Sequence, residues 1–79
     1  MTELLYEHAD LSLYKKGERY FVRYDAGAHE IVMREDEVSL EEALEIVKGP
    51  SEAEKVLITV QARLQKAGLN PYISNIRVG

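Results

Sequence analysis

The stretch LSLYKKGERYFVRYDAGAHEIVMR, residues 11–34, decides the fold. Its apolar residues recur at every second position, the period of a strand with one covered face. A tight turn on Gly17-Glu18 sets Lys16 opposite Arg19, Lys15 opposite Tyr20, Tyr14 opposite Phe21, Leu13 opposite Val22 and Ser12 opposite Arg23. A second turn on Ala26-Gly27, or a four-residue loop from Asp25 to Ala28 of the same parity, sets Tyr24 opposite His29, Val22 opposite Ile31 and Tyr20 opposite Met33. Both hairpins then sort the side chains alike. Leu11, Leu13, Tyr20, Val22, Tyr24, Ile31 and Met33 gather on a core face, and Ser12, Tyr14, Lys16, Arg19, Phe21, Arg23, Glu30, Val32 and Arg34 gather on the other. An odd-length second loop would mix the faces, so the even register is expected. The reading is a three-stranded antiparallel β-meander over about 11–16, 19–25 and 29–34.

Downstream the period changes to that of a helix. Ser39-Leu-Glu-Glu42 has the form of a capping box, and Leu40, Ala43, Leu44 and Val47 share one face of a helix over about 40–48. Gly49-Pro50 stops it. Ser51-Glu-Ala-Glu54 repeats the capping pattern, and Ala53, Val56, Leu57, Val60, Leu64 and Ala67 form the stripe of a second helix over about 52–67. Gly68 followed by Leu69 and Pro71 reads as its C-terminal stop. The predicted class is α+β, one domain over residues 1–79. Leu4, Leu5 and Tyr6 can extend the first strand or form a separate one. The tail with Tyr72, Ile73, Ile76 and Val78 can add a short strand, cover the outer sheet face or exchange with a second copy.

Bulk properties narrow the function classes. A 79-residue chain sits near the size at which one core only just suffices. With no cysteine, neither disulfides nor thiolate metal sites can stabilise it. The start Met1-Thr2-Glu3 lacks the basic region of a signal peptide, and no apolar run approaches the ~20 residues of a membrane span, so a cytoplasmic protein without membrane partners is expected. His8 and His29 stand alone, without the spacing of a metal site, and His29 is expected at the edge of the core. No nucleophile elbow, P-loop or dinucleotide-binding glycine pattern occurs. The expectation is therefore no catalytic residue, no cofactor and no metal.

Charge is segregated along the chain. The net charge is −4, yet Lys15–Arg34 carries five bases against three acids, whereas Glu35–Glu54 carries eight acids against Lys48 alone. Two candidate surfaces follow. The outer sheet face would present Tyr14, Phe21 and Val32 in a row ringed by Lys16, Arg19, Arg23 and Arg34, a composition enriched at binding surfaces. An acidic surface would gather Glu35, Asp36, Glu37, Glu41, Glu42 and Glu45. The leading expectation is a small non-catalytic protein-binding factor (an adaptor, inhibitor or immunity-type protein), with a homodimer through the aromatic face as one form of it. The alternative is a nucleic-acid-binding module that stacks bases on Tyr14 and Phe21. Acidic composition counts against that alternative.

Overall fold

The computed structural model describes residues 1–27 and 29–76; Ala28 and Val78, which entered the loop and tail expectations, lie outside them. Four strands, β1 (Thr2–His8), β2 (Leu11–Lys16), β3 (Arg19–Asp25) and β4 (Met33–Val38), form one antiparallel sheet in chain order. Two helices follow, α1 (Leu40–Ile46) and α2 (Pro50–Lys66), so the class is α+β. Both pack on the same sheet face: Leu13, Val22, Tyr24 and Val38 of the strands share a buried cluster with Ala43, Ile46, Ala53, Val56 and Val60 of the helices. Each large aliphatic side chain buried there is worth about 1.5–3 kcal/mol.

The first hairpin has the expected register at all five pairs, from Lys16–Arg19 to Ser12–Arg23. The additional strand comes from the N-terminus. Residues 2–8 pair with β2, with a bulge between Leu4 and Tyr6, and Ala9 takes the left-handed conformation (φ 52°) in the turn. No strand forms in the described tail.

The last strand departs from expectation. It runs over 33–38, not 29–34, and sets Tyr20 opposite Val38 and Phe21 opposite Glu37, a displacement of five residues. Five is odd, so every side chain of the strand changes face. Arg34 points to the core side, while Met33, Glu35 and Glu37 point outward. Residues 26–32 form a longer connection. The Asp25 carboxylate accepts the amides of Gly27 and Val32, each at 2.9 Å, and the Ala26 amide donates to the Val32 carbonyl. Ile31, expected in the core, is 79% exposed there, and His29 is exposed too. In exchange the observed register brings Glu35 to Lys16 and Arg23, and Glu37 to Arg19, and buries Val38 across from Tyr20.

The same shift places charge in the core. Arg34 is 6% exposed. Its guanidinium donates from Nε (3.1 Å) and Nη2 (2.9 Å) to the two oxygens of Asp36, two residues along the same face, and Tyr24 donates its phenol to Asp36 at 2.7 Å. Arg34 Nη1 donates to the carbonyl of Ile73, tying the tail to β4. Burial, reinforced by the hydrogen bond to Asp36, pushes the Tyr24 hydroxyl well above its ordinary range.

The Ser39–Glu42 capping box closes as expected, by reciprocal bonds of 3.1 and 2.9 Å. The second capping box does not form. Gly49 is the N-cap and Pro50 occupies the first turn, where its fixed φ suits a helix start. Helix α1 is also rotated from the expected face. Ala43 and Ile46 are buried, whereas Leu40, Leu44 and Val47 are about half exposed (54, 55 and 43%). In α2 the stripe of Ala53, Val56, Leu57, Val60 and Leu64 holds, but Ala67 is exposed. Gly68 (φ 80°) ends the helix, and the Leu69 amide returns to the Leu64 carbonyl at 2.9 Å.

Beyond Pro71, which is buried, the tail runs along the open edge of β4 rather than over the outer face. The Asn75 side-chain amide substitutes for a neighbouring strand: its oxygen accepts the Glu35 amide at 2.8 Å and its nitrogen donates to the Glu35 carbonyl at 2.6 Å. Asn75→Ala should therefore speed exchange of the Glu35 amide at least severalfold and cost about 1 kcal/mol, read by hydrogen exchange and urea unfolding; unchanged protection of Glu35 would refute the edge-capping role.

Candidate functional site

With both helices on the inner face and the tail along an edge, the outer face of the sheet carries no covering layer among the described residues. Its side chains follow from the pairing. Leu4, Tyr14, Phe21 and Glu37 form one row across the four strands; Thr2, Lys16 and Arg19 lie on one side of it, and Glu7, Ser12, Arg23 and Glu35 on the other.

Five of the seven residues expected at this face come together there: Tyr14, Lys16, Arg19, Phe21 and Arg23. Val32 lies in the connection before β4, and Arg34 is in the core. Leu4 takes the place assigned to Val32, at the other end of the row. Phe21 lies beneath two cations, with Lys16 Nζ 5.0 Å and Arg19 Cζ 5.4 Å from its ring centroid. Such contacts are worth ~0.5–1 kcal/mol each at exposed sites.

The acidic group is dispersed by the same geometry. Glu35 accepts Lys16 at 2.8 Å and lies 3.6 Å from Arg23. Glu37 accepts a two-pronged Arg19 guanidinium at 2.8 and 2.6 Å, whose hydrogen bond holds the Glu37 carboxyl below its usual range. Asp36 is in the core with Arg34. Glu42 closes the capping box and binds Arg63 of α2 at 3.1 and 3.2 Å; burial would raise its pKa, but these bonds outweigh that and lower it. Glu45 pairs with Lys48 at 2.6 Å, leaving Glu41 exposed and without an ion-pair partner among the described residues. No continuous acidic patch results.

The outer face is therefore aromatic and apolar along its midline, with Lys16, Arg19 and Arg23 compensated by Glu35 and Glu37 instead of presenting free positive charge. A hollow of about 250 Å³ lies between Thr2, Tyr14, Lys16, Arg23 and Glu35. That is below the ~300 Å³ at which ligand pockets begin, and it suits an inserted side chain better than a substrate. A cleft on the inner side, between the β1–β2 turn, the end of β3 and the start of α2, was not foreseen. Its walls come from β1, whose pairing with β2 the periodicity left open, and from α2, far along the chain.

One charge in this region is set by backbone donors. Asp25 accepts the Val32 and Gly27 amides, and these bonds lower its pKa. A lowered carboxylate contributes stability above its unfolded value of about 4 and loses it as pH falls through the folded value. Protection of the Gly27 and Val32 amides should accordingly fall below about pH 4. In Asp25→Asn, whose amide oxygen still accepts, that loss should vanish; persistence of the same acid transition would assign it to another group.

No protein-family model, no curated protein and no solved structure matches the chain. Its own surfaces carry the functional reading. No helix among the described residues is long and apolar enough to cross a membrane.

Proposed function

We propose that this chain is a stoichiometric, non-catalytic protein-binding factor that engages its partner through the outer face of the sheet. The observation that carries the reading is the Leu4–Tyr14–Phe21 row, left without a covering layer among the described residues while the opposite face is filled by both helices. Aromatic anchors with arginine beside them are the residues on which interface energy concentrates. The Arg19–Glu37 and Lys16–Glu35 pairs would form a polar rim that excludes water from the anchors without large net charge. The compensated bases favour a protein over an oligonucleotide, because phosphate binding draws its affinity from uncompensated lysine and arginine.

The test is site-specific photo-crosslinking in cells, with p-benzoylphenylalanine in place of Phe21 and, as control, in place of the exposed Ile58 of α2. Position 21 should give one discrete adduct with another protein, absent from position 58. Purified with that protein, Phe21→Ala with Arg23→Ala should weaken binding by about 2 kcal/mol or more, the scale of an anchor residue. No adduct at position 21, an adduct at position 58 alone, or only the chain crosslinked to itself would overturn the reading.

A further inference from the structure

The cleft on the inner side has a volume of about 320 Å³. Its floor is apolar, made by Tyr6, Leu11 and Tyr24 of the strands and by Ala53 and Leu57 of α2. Among the described residues its charged lining is Asp10, Asp25 and Glu54, with the His8 imidazole and with neither lysine nor arginine; the Asp25 carboxylate is held by the Gly27 and Val32 amides. The described salt bridges involve none of these three acids.

The cleft opens beside β1, the outermost strand of the sheet. The two sheet edges differ. That of β4 is capped by Ser74 and Asn75, whereas the outer edge of β1 has no neighbouring strand among the described residues. An uncapped edge offers a row of backbone donors and acceptors to an incoming strand. Tyr6 and His8 belong to both features: they pair with Leu13 and Leu11 on the inner face and they line the cleft. A strand added ~4.8 Å beyond β1 would carry its own inward side chains next to them.

We propose that the β1 edge and this cleft together bind an extended basic segment of a protein partner, which adds to the sheet as a fifth strand and lays an arginine or lysine side chain in the cleft. Backbone pairing supplies affinity in this mode and side-chain pockets supply selectivity. The aliphatic stem packs on Tyr6 and Leu57 and the charged head meets Asp10 and Glu54, a charge-assisted arrangement. Glu3 and Glu7, exposed on β1, add attraction for a basic chain. A second copy fits poorly: antiparallel pairing of β1 with itself about Leu5 sets Glu3 opposite Glu7, and like charges directly opposite destabilise. This surface lies across the sheet from the outer face and stands or falls independently of it.

The test is an NMR titration of the full chain with three blocked pentapeptides: TVRVT, TVQVT, and TVRVT carrying backbone N-methyl groups on its pairing edge. TVRVT should perturb the amides of Glu3–His8 and of Ala53–Leu57. TVQVT should bind about tenfold more weakly, and the methylated peptide should bind more weakly still, because it cannot pair. Asp10→Asn with Glu54→Gln, both at exposed positions, should erase the difference between the arginine and glutamine peptides. Phe21→Ala with Arg23→Ala should leave the titration unchanged. Equal binding of TVRVT and TVQVT, equal binding of the methylated peptide, or no perturbation along residues 3–8 would each overturn the proposal.

Discussion

Asp36→Ala should destabilise the protein by about 3 kcal/mol, the scale seen when one partner of a buried ion pair is removed. The loss would come from Arg34, left 6% exposed with a guanidinium that no longer has its two carboxylate acceptors, and from a Tyr24 hydroxyl deprived of its acceptor. Arg34 also holds the Ile73 carbonyl, so the tail should loosen in the same variant. The pair need not be the most stable solution for this space, since packed apolar residues often equal a buried ion pair. Arg34→Met with Asp36→Leu and Tyr24→Phe should therefore recover most of the lost stability in urea unfolding. A loss below about 1 kcal/mol for Asp36→Ala would place Asp36 at the surface.

The second large effect separates two neighbours on α1. Ile46 is fully buried and Leu44 is 55% exposed. Ile46→Ala should cost about 2–5 kcal/mol through lost burial and the cavity left behind. Leu44→Ala should stay within about 0.5 kcal/mol, as surface substitutions do. Similar losses at both positions, or the reverse order, would show that the helix presents Leu40, Leu44 and Val47 to the core instead.

These contrasts mark where the sequence was legible. The first hairpin could be read residue by residue because Gly17-Glu18 permits a two-residue turn, and the alternation from Leu11 to Tyr24 then fixes parity. The start of α1 and the end of α2 were nearly as clear, since Ser39 with Glu42 and Gly68 with Leu69 are local chemistry. The last strand was not legible from periodicity. Ile31 and Met33 alternate as a buried strand should, but Val38 supplies the buried residue across from Tyr20, and the acids on either side of Asp36 find bases on β2 and β3. Those bases are distant in the chain, so no local pattern announces the pairing. Rotation of α1 was hidden for a similar reason. Leu40, Leu44 and Val47 make a convincing stripe, but the Glu42–Arg63 contact with α2 and the burial of Ile46 accompany a different face. For the candidate site, the aromatic centre and three bases could be read from the first hairpin alone, whereas the compensating acids, Leu4 and the inner cleft depend on β4 and β1.

Proton contacts across β3 and β4 decide the register on which the outer face depends, because it sets which charges enter the core and which line that face. With β4 over 33–38, NMR should show cross-strand backbone contacts between Phe21 and Glu37, Tyr20 and Val38, and Arg23 and Glu35. Contacts of Phe21 with Val32 and of Tyr20 with Met33 would contradict it: Arg34 would return to the outer face, and the ion-paired rim around Phe21 would not exist.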